Sequence, residues 1–315
     1  KPMPVSGKLI RELLLLFLLL WIQQSYAQRI TRQYNNVSFS AALKDLNARQ
    51  HKYTINFVYD ELEDFRVTKS IRNQSVPDAI MQLIGFYPIR MTQVEDNIMV
   101  ECTQKTTLRY KGRIIDESGN AAEYANITLL SPIDSTILGH GVSNENGSFV
   151  IPCNSRKVLV RITYVGYKTI NRIYSNPEMG IIKLQPETMI IKGVVVKGDR
   201  PQYKMSPGGV KVAVEHTLLS KMANTFDVLN LLPRVSVDGQ KISVFGKGTP
   251  IVYINNKRVN DNNEIVNITP DNIKSISVIT SPGSEYDAEV ESVIGVLKDV
   301  FQPCHWVKLA CGCFW

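Results

Sequence analysis

The chain has 315 residues, of which 44% are hydrophobic and 21% charged. That length points to about two or three small domains, and the apolar content excludes wholesale disorder. The formal net charge is +7, but the lysines and arginines are scattered among acids with no basic run, a solvated-surface pattern that argues against a nucleic-acid partner.

Residues 1–27 read as a signal peptide. Lys8 and Arg11 precede the apolar run LLLLFLLLWI, and Ser25-Tyr26-Ala27 places small residues at the −3 and −1 positions of a cleavage site between Ala27 and Gln28. The run is shorter than the about 20 residues needed to span a bilayer; the alternative is a signal anchor. Export would permit disulfides, yet five cysteines (Cys102, Cys153, Cys304, Cys311, Cys313) do not make a dense disulfide framework. The terminal Cys-His…Cys-Gly-Cys group fits no zinc spacing well.

Residues 28–105 read as a small α+β domain with a weak duplication. Ser38 caps a helix with apolar positions Phe39, Ala42, Leu43 and Leu46, followed by a strand over 53–58. A strand over 66–71 comes next. Ser75 then caps a second helix, with Pro77 in its first turn, Val76, Ala79, Ile80, Leu83 and Ile84 on its apolar face, and Gly85 at its end. Strands at 89–94 and 98–102 flank a Glu95-Asp96-Asn97 turn. The expected result is two helices on one face of one small sheet.

Residues 106–186 lose helical periodicity. Strands are expected at 110–115, 125–130, 137–142, 148–151, 158–164 and 181–184. Turns at Asp116-Glu117-Ser118-Gly119-Asn120, Asn144-Glu145-Asn146-Gly147 and Gly166-Tyr167 separate some of them. Regular short strands with Gly/Asn turns predict a β-sandwich.

Residues 187–205 form a linker with a β-branched centre. Residues 206–296 return to mixed α/β: a helix capped by Thr225 and ended by Pro233, a hairpin about Asp238-Gly239, a second about Asn255-Asn256, a helix start at Thr269-Pro270-Asp271, and a strand over 276–280. The stretch TSPGSEYDAEVESVIGV then opens a further strand near Val293, and only a short segment follows it. Within that segment, 297–315, the last twelve residues hold three of the five cysteines and two of the three tryptophans. Such an abrupt shift reads as an aberrant tail of the kind a shifted frame or a truncation leaves; a genuine short protein with an unusual end is the alternative.

No catalytic constellation appears: there is no His-Glu-x-x-His, Gly-x-Ser-x-Gly or Gly-x-x-x-x-Gly-Lys. His51, His140, His216 and His305 lie in separate segments and read as surface or locally bonded residues. Gly246-Lys247-Gly248 precedes a strand rather than a helix, so a turn fits it better than a phosphate loop. Asn-x-Ser/Thr triplets at Asn36, Asn73, Asn126, Asn146 and Asn267 matter only in a eukaryotic secreted chain. Neither an enzyme nor a cofactor binder is expected.

The order of segments resembles the N-terminal part of a TonB-dependent outer-membrane receptor. Residues 28–105 are similar to the short N-terminal domain shared by secretins and such receptors. Residues 106–186, with GRIIDESGNAAEYANITLL, GVSNENGSFVI and ITYVGYKT, resemble the carboxypeptidase-regulatory-like, transthyretin-type sandwich. Residues 206–296, with DVLNLLPRVSVDGQKISVFGKGTPIVYINNKRV and ITPDNIKSISVITSPGSEYDAE, resemble the plug. The resemblance implies a multidomain chain without a complete β-barrel, since the family's plug leads into a barrel that 297–315 does not continue. It also implies energised uptake of a ligand of unknown identity, driven by a TonB-type energy-transducing protein. An inner-membrane anti-sigma regulator is a further implied partner. The complete receptor would sit in the outer membrane, and this portion in the periplasm. Gly193, Val194, Val195 and Val196 occupy the place of a TonB box, a segment that adds as a strand to the transducer; equally, they read as the last strand of the sandwich. The competing function is a soluble periplasmic binding or adhesion module.

We predict cleavage after Ala27. N-terminal sequencing of the exported form should start at Gln28; an exported form still starting near Lys1 contradicts it.

Overall fold

A computed structural model describes residues 29–298, apart from residues 105, 107, 188, 189, 192, 193, 196–200, 207, 262, 284 and 288. The leader with Ala27 and Gln28, two of the four TonB-box-like residues (Gly193 and Val196), and residues 299–315 of the tail lie outside the described residues. The described chain is mostly β, in several sheets, and none of them closes into a barrel. No described helix is long and apolar enough to cross a membrane.

The first stretch runs β1 (Ile30–Ser38), α1 (Phe39–Arg49), β2 (Thr54–Phe57), α2 (Tyr59–Leu62), β3 (Arg66–Gln74), α3 (Val76–Ile84), β4 (Ile89–Val94) and β5 (Asn97–Cys102). Both long helices begin as their caps predict. Ser38 Oγ accepts from the Ala41 N–H at 3.3 Å, and Ser75 Oγ accepts from the Asp78 N–H at 3.3 Å. Gly85, at φ 51, donates its N–H to the Met81 carbonyl and ends α3. The expectation of one sheet is corrected. β1 pairs with β3, whereas β2, β5 and β4 form a separate sheet. Helices α1 and α3 each touch strands of both sheets, and α1 leaves Lys44, Asn47 and Ala48 exposed on its outer face. Strand β1 has little sequence pattern because two register shifts break its alternation; its buried residues, Ile30, Tyr34 and Ser38, fall four apart.

The second stretch comprises β6 (Arg109–Ile115), β7 (Asn126–Leu130), β8 (Ile137–Val142), β9 (Ser148–Pro152), β10 (Val158–Thr163), β11 (Ile170–Tyr174) and β12 (Glu178–Lys183). One sheet has the order β11-β10-β7-β8, the other β12-β6-β9. Tyr110, Ile114, Phe149 and Ile151 from the second sheet and Ile127, Leu129, Val158, Val160 and Ile162 from the first bury into one cluster. The unexpected strand is β11, an edge strand whose Ile173 is exposed and which therefore shows no buried stripe. Gly147 must be glycine: its φ is 73, and a Cβ there would stand 2.2 Å from the Ile114 carbonyl oxygen.

After a two-residue ladder of β13 (Ile190–Ile191) and β14 (Val194–Val195), the third stretch begins at β15 (Tyr203–Ser206), inside what reads as linker. It continues through β16 (Gly209–Ala213), a 3-10 turn at Leu218–Lys221, α4 (Thr225–Asn230), β17 (Val235–Asp238), β18 (Lys241–Val244), β19 (Ile251–Ile254), β20 (Lys257–Arg258), α5 (Asn263–Val266), a 3-10 turn at Pro270–Asn272, β21 (Ile273–Ile279) and β22 (Val293–Lys298). Two local expectations are corrected. The cap of α4 is Asn224, whose Oδ1 accepts from the Asp227 N–H at 2.9 Å, while the Thr225 hydroxyl donates to the Ile268 carbonyl at 2.5 Å. Thr269-Pro270-Asp271 opens a 3-10 turn rather than an α-helix, because the β-branched alternation from Ile273 onward takes the chain directly into β21.

The strand that opens near Val293 has its partners upstream. Strand β22 lies inside a six-stranded sheet of order β15-β16-β21-β22-β19-β20. It pairs antiparallel with β21 and parallel with β19, so Ile294 faces Val278 on one side and Val252 on the other. Ile294 is fully buried, whereas Leu297 is 39% exposed.

This contrast sets a test. Ile294→Ala should cost about 2–5 kcal/mol by emptying a packed site, and Leu297→Ala under about 1 kcal/mol. Urea unfolding followed by circular dichroism measures both. Equal losses would remove β22 from the sheet interior.

Candidate functional site

Of the four TonB-box-like residues, Val194 and Val195 lie in β14. They pair antiparallel with Ile191 and Ile190. This two-residue ladder is hydrogen-bonded to no other named strand among the described residues, so β14 is not a strand of either sheet of the second stretch. Downstream, the chain reaches β15, one edge strand of the six-stranded sheet, which among the described residues pairs with β16 alone, through Tyr203↔Val212 to Ser206↔Gly209.

Strand β15 also belongs to a junction where residues of all three stretches meet. Tyr124 is buried, and its ring lies 5.7 Å from that of Phe86 and 4.9 Å from that of Tyr203. Its hydroxyl donates to Glu145 Oε1 at 2.6 Å, and Glu145 also holds Lys69. Burial and the Glu145 charge push the Tyr124 phenol far above its ordinary range, so it remains a donor. Asn144 Nδ2 donates to the Arg66 carbonyl at 3.0 Å and to the Tyr87 hydroxyl at 3.1 Å. Asn126 bonds the third stretch twice: its Nδ2 donates to the Leu232 carbonyl at 2.8 Å, and its Oδ1 accepts the Arg234 N–H at 3.0 Å.

Beside this junction lies a cleft of about 370 Å³. Its walls come from the end of α3 and β4, from His140 of β8, and from Arg234, Gly246 and Lys247. Arg234 sits between α4 and β17 with φ 66. Asn126 holds its N–H, and its carbonyl accepts the Phe245 N–H at 2.9 Å. An arginine held at positive φ is uncommon and indicates that surrounding contacts fix it there. The His140 ring stacks on Phe245, with centroids 4.2 Å apart and planes 20° apart. The Gly246-Lys247-Gly248 stretch is a turn, closed by the Val244 N–H donating to the Gly248 carbonyl at 2.8 Å. Among the described residues, no acidic side chain lines the cleft.

His140, which reads as a surface or locally bonded residue, is half-buried and stacked on Phe245, and no local pattern marks Arg234 or Tyr124. The turn at Asn144-Glu145-Asn146-Gly147 was legible as a turn, but nothing local marks it as a contact surface. Cys102 and Cys153 are buried free thiols, and among the described residues no three His, Cys, Asp or Glu side chains converge as metal ligands.

No family model and no curated protein matches the chain. Among solved structures, a 9R-lipoxygenase from Cyanothece PCC8801 is similar with a TM-score of 0.20 and 11% identity; the match covers 33% of this chain and 20% of that one. A likeness that slight carries no argument about fold or activity.

Burial, and after it the charge of Arg234, pull His140 down to about 4. The unfolded imidazole titrates near 6.5, so between about pH 6.5 and 4 the unfolded state binds more protons than the folded one. This contribution to stability is present in full above about pH 6.5 and is lost as the pH falls toward 4. Urea unfolding at pH 7 and pH 5 should show the wild type losing up to about 2 kcal/mol more than His140→Gln. An identical loss in both proteins would remove His140 as the source.

Proposed function

We propose that the chain is the N-terminal periplasmic and plug portion of a TonB-dependent outer-membrane receptor for energised ligand uptake. In this reading residues 28–105 are the short secretin/TonB-type N-terminal domain, 106–186 the carboxypeptidase-regulatory-like sandwich, and 206–296 the plug. The protein acts as a receptor and not as an enzyme. Its partners are a TonB-type energy transducer at Gly193, Val194, Val195 and Val196 and, for signalling, an inner-membrane anti-sigma regulator at the N-terminal domain.

The observation that carries the reading is the position of β14. Its ladder is two residues long, bonded to no other named strand among the described residues, and it lies just ahead of an edge strand. Exchanging so short a ladder for pairing with a partner strand breaks few hydrogen bonds, and strand addition draws its affinity from main-chain bonds of this kind. Tension applied to β14 reaches β15 at Tyr203, the end farthest from the Ser206↔Gly209 pair. Hydrogen bonds in an antiparallel pair run perpendicular to the strands, so a pull directed across β15 would load the β15–β16 bonds pair by pair, from Tyr203↔Val212 toward Ser206↔Gly209. Peeling β15 also draws the Tyr203 ring away from Tyr124. A pull on the linker thereby loosens both the six-stranded sheet and the junction.

In a complete receptor, Val195→Asp and Val195→Pro should abolish energised uptake and leave ligand binding intact, because a charge or a missing N–H spoils an edge for pairing. With this chain alone, surface plasmon resonance against the periplasmic domain of the transducer should show binding weakened tenfold or more by either substitution. Unchanged uptake and unchanged transducer binding in both variants would contradict the assignment and favour a soluble binding or adhesion module.

A further inference from the structure

The cleft beside the junction brings two cations together without a counter-charge. Arg234 Nε is buried and has no hydrogen-bond partner, and neither Arg234 nor Lys247 forms an ion pair among the described residues. The only cause that displaces Arg234 from its ordinary value is burial, which lowers it. Arg90, also on the lining, is already paired with Glu101 at 2.7 Å. A buried guanidinium donor left unpaired is costly, by about 1–3 kcal/mol or more, and the backbone that carries it is itself held at positive φ. The remaining lining supplies neutral donors and acceptors, Gln82, Thr280 and Ser281, and a stacked platform from His140 on Phe245. The volume, about 370 Å³, lies within the usual range of small-molecule sites.

We propose that this cleft is a binding site for a small oxyanion, a carboxylate or a phosphate, held by the Arg234 guanidinium and the Lys247 ammonium. The planar fork of arginine pairs two-to-two with either group, and lysine adds a point charge. The site lies between elements of all three stretches, so an occupant holds the junction closed. The proposal goes beyond the receptor reading and does not depend on it.

The test is isothermal titration calorimetry on the full chain at low ionic strength, with inorganic phosphate and malonate as separate probes and chloride as the control anion. Saturable one-to-one binding of at least one probe is expected, and the probe that binds more tightly identifies the preferred group. Arg234→Gln should weaken it tenfold or more, Lys247→Gln threefold or more, and Lys241→Gln, an exposed cation outside the cleft, should leave it unchanged. Lys247 sits on a surface turn, so its variant keeps the test decisive even where Arg234→Gln disturbs folding. Absence of saturable binding by both anions, or equal affinity in wild type, Lys247→Gln and Lys241→Gln, would overturn the proposal.

Discussion

Tyr124 is held at φ 62, a left-handed backbone that a bulky aromatic residue rarely adopts. The strain is maintained because the side chain it positions satisfies three neighbours at once. Its ring contacts Phe86 and Tyr203, its hydroxyl donates to Glu145, and its own N–H donates to the Ser143 carbonyl at 3.1 Å. Phe86 follows α3, Tyr124 precedes β7, and Tyr203 opens β15; Phe86 and Tyr203 both pack against the core of the third stretch, so Tyr124 ties the segment before β7 to that core. Asn126 and Asn144 reinforce the same place with side-chain amides that bond across stretches. A buried amide that loses its partners costs more than it contributes when satisfied, so these bonds fix how the three clusters meet.

That constraint governs what the linker can do. A two-residue ladder ahead of an edge strand is weakly held, whereas β22, paired on both sides, is strongly held. The edge of the six-stranded sheet that follows the linker is β15, next to Tyr203 and the cationic cleft. The interior of the sheet buries Ile276, Val278, Ile294 and Val296. An occupant of the cleft and a pull on the linker would act on the same contacts in opposite senses.

Where the determinants are local, the sequence is readable. Ser38 and Ser75 cap their helices, and Gly239, at φ 59, and the Asn255-Asn256 pair, at φ 49 and 65, turn the two hairpins at the positions their residue types require. Where tertiary packing decides, it is not. Bulges hide β1, exposure of Ile173 hides β11, and the strand-forming run after Ile273 overrides a good helix start at Thr269. The partners of β22 lie upstream: the register Ile251↔Val293 sets its parallel neighbour 42 residues back, too far for a local pattern to announce. Val194 and Val195 lie in extended backbone, and Arg234 and His140 draw their character from neighbours on other elements.

The claim that most needs testing is that the junction makes the three buried clusters one cooperative body. Differential scanning calorimetry of the wild type and Tyr124→Ala measures it directly. The account predicts a single main transition in the wild type that splits into separate transitions when the Tyr124 side chain is removed. Three independent transitions already present in the wild type, with Tyr124→Ala shifting only one of them, would contradict it.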